Sequence, residues 1–158
     1  MDDFSHIDKK GKAVMVDVTE KKISKRTATA RSVVVLPKEA LDKLTNGDIQ
    51  TKKGAVFQTA IIAGIMAAKK TGELIPLCHP LGLDNCNIDI QLNGDNEIVI
   101  DCTTSTEAKT GIEMEALVGA SIAALTVYDM CKAMSHDITI KDTMLMKKTG
   151  GKKDFERK

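Results

Sequence analysis

The chain has 158 residues, with 23 Lys and Arg against 22 Asp and Glu and a formal charge of +1, which removes the broad electrostatic case for a nucleic-acid or membrane-surface partner. Its length predicts a single domain, residues 1–158, with a core that needs no staples. The four aromatic residues Phe4, Phe57, Tyr128 and Phe155 provide no set of base-stacking platforms, and Cys78, Cys86, Cys102 and Cys131 show no zinc-site spacing, so reduced thiols in the cytoplasm are expected.

Met1–His6 is acidic and has no apolar centre, unlike a signal peptide. Residues 1–12 read as a flexible polar arm, followed by a short alternating piece, Ala13–Val18, that suits an edge strand. After the charged segment 21–26, Thr27–Leu36 is rich in β-branched residues and stops at Pro37, which predicts a strand. A short helix over 38–44 ends at Asn46-Gly47.

Residues 55–70 predict a largely buried helix, in which Ala60, Ala63, Gly64, Ala67 and Ala68 allow another backbone to approach closely. Pro76 and Pro80 then stiffen the loop Leu77-Cys78-His79-Pro80-Leu81 and push Ile75 and His79 toward extended backbone. Alternation over 87–92 and 97–104 around Asn93–Asn96 predicts a hairpin. The longest helical pattern runs over 112–134, a closing strand over 137–148, and a flexible tail over 149–158. No apolar run approaches the roughly 20 residues that span a bilayer. The order strand, helix, two strands, helix, strand is that of a ferredoxin-like βαββαβ α+β sandwich with an antiparallel sheet, elaborated by an extra N-terminal strand and a short helix.

Ionisable groups in apolar settings are the candidates for chemistry. His79 sits in the stiff loop, where a histidine bonded only to backbone is the plainer alternative. On the long helix, Glu113 suits the N-terminal dipole, while Glu115 and Asp129 fall within about 40° of one face and Asp129 can pair with Lys132. Asp129 and Lys132 fit an ordinary ion pair, yet the apolar residues around them predict pKa values moved toward neutrality. Fourteen residues separate Glu115 from Asp129 by roughly 21 Å along the axis, too far for one small substrate to reach both on one helix. Two sites per chain, or one site shared across subunits, would reconcile them, and the small-residue helices favour sharing. Lys53, Lys69, Lys148 and Arg26 could neutralise a polyphosphate, although each alone fits a solvated surface cation. The Gly-Gly-Lys stretch at 150–152 lacks the pattern of a Walker loop.

Together, Leu77–Leu81, Lys109–Leu117 (KTGIEMEAL) and Tyr128–Ala133 (YDMCKA) closely resemble one family, the molybdenum-cofactor biosynthesis C proteins, or cyclic pyranopterin monophosphate synthases. Met15–Val18, Ile62–Lys69 and Lys148–Lys152 extend the resemblance over nearly the whole chain. It implies a ferredoxin-like fold, a homohexamer built as three dimers, and active sites at dimer interfaces. The implied substrate is a pterin-nucleotide triphosphate precursor, 3′,8-cyclo-7,8-dihydroguanosine 5′-triphosphate, rearranged to cyclic pyranopterin monophosphate with loss of pyrophosphate, a lyase reaction. Carried onto this chain, Asp129 is the implied acid or base with Lys132 as its partner, and Lys53, His79 and Glu115 complete the catalytic candidates. Leu77, Cys78, His79, Met114, Glu115, Glu113, Arg26, Lys69 and Lys148 are the implied substrate-binding set. No resident metal or tightly bound cofactor is expected; Mg²⁺ could accompany the triphosphate. Val118-Gly119, Lys141-Asp142 and Lys153-Asp154 depart from the family's usual Thr-Ala, Gly-Pro and Ser-Gly. A nucleotide-binding regulatory or scaffold module of the same fold is the alternative function. A thiol-based metal site at Cys78 and His79 is the weaker third.

Overall fold

The computed structural model describes residues 5–158, so the first four residues of the expected arm, including Phe4, lie outside it. In chain order the elements are β1 (Ser24–Val35), α1 (Lys38–Leu41), β2 (Leu44–Thr45), β3 (Asp48–Thr51), β4 (Gly54–Ala55), α2 (Val56–Ala68), α3 (Thr71–Leu74), β5 (Asn85–Leu92), β6 (Glu97–Ala108), α4 (Glu113–Cys131), β7 (Thr139–Thr149) and β8 (Phe155–Glu156). The main sheet has the order β5-β6-β1-β7-β8, with every pairing antiparallel. Two helices cover one of its faces, and β1, α2, β5, β6, α4 and β7 make the expected ferredoxin-like α+β sandwich.

Alternation explains the face that is covered. On β6, Ile98, Ile100, Cys102, Thr104, Thr106 and Ala108 are buried at every second position, and on β1 Ala28, Ala30, Ser32 and Val34 do the same. Each isoleucine shielded this way contributes about 2 kcal/mol of burial free energy. The opposite face mixes polar residues with Val33, Val35 and Val99 and carries the Arg31–Asp101 ion pair at 2.8 Å.

The helix layer depends on small residues. A Cβ on Gly64 would stand 2.8 Å from the Gly119 carbonyl oxygen, and one on Gly119 would stand 2.6 Å from the Cys102 sulfur. No methyl fits at either position, so α2 and α4 meet backbone to backbone. This accounts for Gly119 where the family resemblance leads one to expect alanine: the Cys102 sulfur fills that space. Lys141 and Asp154, two further departures, find partners of their own in Glu97 and the Gly150 amide. Ala55 cannot cap α2, and Asp48 does so from β3. Its carboxylate accepts from the backbone amides of Ile49, Phe57 and Gln58 at 2.6, 2.7 and 3.1 Å.

Several expectations change. Ala13–Val18 forms no strand; Ala13 makes an isolated bridge to Ile7, and the carbonyls of Val16 and Thr19 accept from the side chains of His79 and Lys109. With its acceptors taken up by side chains, the segment crosses the surface as an irregular strap. The tail expected to be loose folds back instead, β8 pairing with β7 through Lys147↔Glu156 and Lys148↔Phe155. Asn46-Gly47, read as a helix stop, is the turn of a two-strand hairpin, with φ of 53° and 79°. Helix α4, at 19 residues, is long and apolar enough by composition to cross a membrane, contrary to the reading of its charges as interruptions. Its small residues, from Ala116 to Ala124, are instead buried beneath α2 and the sheet.

Candidate active site

The loop after α3 begins with Ile75 at φ −107° and ψ 111°, the extended backbone required before Pro76. A turn follows, the Cys78 amide donating to the Ile75 carbonyl at 3.1 Å, and it delivers half-buried Leu77, Cys78 and His79 to the first turn of α4. His79 Nε2 lies 2.6 Å from the Val16 carbonyl oxygen. A carbonyl can only accept, so Nε2 donates there.

Three clefts meet around this end of α4. The first, about 280 Å³, lies between Leu77, Cys78 and His79 on one side and Glu113, Met114 and Glu115 on the other, with Thr110, Gly111, Val16 and Lys21 along its rim. The second, about 230 Å³, adjoins it through Gly111 and Glu113 and is walled by Arg26, Lys148, Lys152 and Lys153. The third, about 310 Å³, shares Leu81 and Glu115 with the first and places Lys69 beside Glu73.

Glu115 stands where the first and third clefts meet and is only 3 % exposed. Burial pushes its carboxyl above the usual range, and the neighbouring Glu113 carboxylate adds to this. Burial likewise raises the Cys78 thiol, with Glu115 contributing, so Cys78 lines the cleft as a thiol rather than a thiolate nucleophile. Glu113 forms an ion pair with Lys148 at 2.9 Å. Beside it Arg26 donates to the Lys109 carbonyl at 3.3 Å through one terminal nitrogen, and its buried Nε has no partner. The second cleft therefore gathers four cations around one carboxylate, an arrangement suited to a polyanion.

The remaining candidates sit elsewhere. Asp129 accepts from Lys132 at 2.8 Å and from Lys53 at 3.0 Å, near the opposite end of α4 and roughly 21 Å along its axis from Glu115. All three side chains are about half exposed. The expectation that burial would move their pKa values toward neutrality is corrected. Hydrogen bonds from Lys132 and then Lys53 hold the Asp129 carboxyl below its usual range, and Asp129 in turn raises Lys132. Tyr128, Met130 and Cys131 turn toward the core and leave the pair in water.

The sequence model of the MoaC family matches residues 15–151. The chain belongs to the MoaC family. It is 49 % identical over 152 residues to a cyclic pyranopterin monophosphate synthase of Xanthomonas campestris, covering 96 % of this chain and 92 % of the relative. To the protein of that name from Bacillus thuringiensis it is 47 % identical, over 100 % of this chain and 99 % of the relative. A molybdenum cofactor biosynthesis bifunctional protein of Synechocystis is 50 % identical over 98 % of this chain, which spans only 46 % of that longer protein.

Within this MoaC-family chain, the structure thus brings Leu77, Cys78, His79, Glu113, Met114, Glu115, Arg26 and Lys148 into two adjoining clefts. Lys69 lies one cleft away, and Asp129, Lys132 and Lys53 form a separate cluster. Lys21, Lys152 and Lys153 were not among the sequence candidates. Lys152 and Lys153 follow two glycines, the one local signal for cations on a turn; Lys21 had none, because it was read as part of the charged segment 21–26 that follows the expected edge strand. Among the described residues, no group of three or more His, Cys, Asp and Glu side chains gathers as a metal site.

Proposed function

We propose that the chain is a cyclic pyranopterin monophosphate synthase of molybdenum cofactor biosynthesis. In this reading it converts 3′,8-cyclo-7,8-dihydroguanosine 5′-triphosphate to cyclic pyranopterin monophosphate and pyrophosphate. The observation that carries the reading is the pairing of a cationic cleft with a cleft lined by the buried Glu115 carboxyl and the His79 imidazole, joined through Gly111 and Glu113. One end of the substrate is a triphosphate and the other a purine-derived ring, and the two clefts offer each end matching chemistry.

The triphosphate lies against Arg26, Lys148, Lys152 and Lys153, whose charge stabilises the departing pyrophosphate. Mg²⁺ in this reading arrives on the triphosphate, and no step is assigned to protein-bound metal. The ring occupies the cleft between His79 and Glu115. Burial raises the Glu115 carboxyl above its usual range, which favours a role in proton transfer, and His79, its Nε2 engaged by Val16, offers Nδ1 to a ring nitrogen or oxygen. Well-placed proton transfers of this kind each contribute roughly 10² to 10⁴ in rate.

Asp129, Lys132 and Lys53 enter the same reaction from a second copy of the chain. The roughly 21 Å of α4 between the clusters supports this, as do exposed Ile62 and Met66 on α2 and Leu125 on α4, apolar residues at positions where a second helix layer could cover them. We infer a homohexamer of three dimers, each dimer holding two shared sites. A cytoplasmic place of work fits four free thiols.

The test is to supply the cyclised triphosphate and measure pyrophosphate release together with the pterin product. Stoichiometric formation of both supports the synthase. A folded, assembled protein that binds the triphosphate but forms neither product would favour the regulatory or scaffold module.

A further inference from the structure

Among the described residues, 13–21 have no strand partner beyond the bridge at Ala13, yet two side chains, His79 and Lys109, tie them down near the first cleft. Val16 gives its carbonyl to His79 Nε2 at 2.6 Å. Thr19 gives its carbonyl to the Lys109 ammonium at 2.9 Å, immediately before the Thr110-Gly111 rim. Between them Asp17 Oδ1 accepts from the Thr19 amide at 2.8 Å and from the Thr19 hydroxyl at 2.6 Å, closing a turn that sets the direction of both carbonyls. Val16 and Lys21 then form part of the wall of the cleft itself.

We propose that Val16–Lys21 is a positioning segment of the active site: the Val16 carbonyl locks His79 as the Nε2–H tautomer and leaves Nδ1 as the one ring nitrogen able to accept a proton. The proposal rests on the reading of this cleft as the synthase site. A neutral imidazole can carry its proton on either nitrogen, and a ring used at Nδ1 is effective only in the fraction of molecules with the proton on Nε2. A fixed carbonyl beside Nε2 removes the other form, as outer partners do for histidines that bind metals. The Asp17 turn and the Lys109 bond hold that carbonyl in place. Asp17 and Lys109 are therefore positioning residues that act through His79 and touch no reacting atom. The strap also carries Lys21 to the rim of the first cleft, adding a cation there.

The test uses full-length protein labelled with ¹⁵N-histidine. The three histidines are His6, His79 and His136, and loss of one signal set in His79→Gln assigns His79. The expected result is a single Nε2–H tautomer for His79 in the unaltered protein. In the double variant Asp17→Ala/Lys109→Met the His79 signals should move toward a mixture, and kcat should fall about tenfold, the lower end of what loss of an orienting partner does. Asp17→Asn keeps the Oδ1 acceptor and should retain both the tautomer and the rate. A His79 carrying its proton on Nδ1 in the unaltered protein would overturn the proposal, and so would a double variant that loses rate with its tautomer unchanged. Because the tautomer is read without substrate, a failure of the synthase reading leaves this result separately visible.

Discussion

Replacing Glu115 by Gln should make the protein more stable at neutral pH while destroying its activity. Glu115 is 3 % exposed and, among the described residues, has no salt-bridge partner; a hydrogen bond to its own backbone offsets part of the burial penalty, and the Glu113 carboxylate adds to it. Burial therefore raises its pKa above the ordinary carboxyl value of 4.5. The sign follows: as pH rises through the window from that ordinary value to the raised native one, the native state still holds a proton that the unfolded chain has released. Stability falls across that window and stays reduced above it. Gln has the same shape and no charge, so the variant escapes this loss. A gain of about 1–2 kcal/mol at neutral pH is expected, the size usual for relieving a buried charge that has no ion-pair partner. With a urea slope of about 2 kcal/mol/M this moves the unfolding midpoint up by roughly 0.5–1 M. Urea titrations of both proteins at one fixed subunit concentration, at about pH 7 and again below about pH 4.5, make the comparison. The difference should vanish at the lower pH, where the carboxyl is protonated in both states. A variant no more stable at neutral pH, or a gain independent of pH, would refute the account of Glu115 as a carboxyl strained by burial.

Asp48→Ala should cost about 2–4 kcal/mol, because it strips two backbone donors at the start of α2 and a third in β3 of a buried, charged acceptor; thermal unfolding would measure it, and a change under 1 kcal/mol would count against the cap (roughly the scale of a neutral bond). Gly150→Ala should disturb the cation cleft. Gly150 has φ +88°, and an added Cβ would stand 1.9 Å from the Lys25 carbonyl oxygen, so β1 and the Lys148–Lys153 turn must separate. A severalfold rise in KM for the triphosphate substrate, with a smaller change in kcat, is the expected kinetic signature.

Much of the fold was legible because its pattern is local. The alternation of β6 and the all-round apolar character of α2 and α4 state directly which residues go inside. The cap at Asp48 was not legible, since it reaches α2 from a residue eight positions before its start. Ala13–Val18 misled for a related reason: alternation records which side chains can face inward, while strand formation also needs an edge whose backbone is free to pair. The clefts were readable through motifs carrying His79, Glu113 and Glu115. The environment of Asp129 was not. Its neighbours in sequence are apolar, but on a helix those neighbours point into the core and leave the carboxylate outside.

The central claim is that one active site draws His79 and Glu115 from one copy of the chain and Asp129, Lys132 and Lys53 from another. It is tested most directly by mixing His79→Ala and Asp129→Ala proteins, each inactive alone, unfolding and refolding them together, and measuring pyrophosphate release. In a two-fold dimer, each mixed pair rebuilds one of its two sites, and random pairing should restore about a quarter of the unaltered activity. A mixture that exchanges subunits yet stays as inactive as its parents would contradict the shared site.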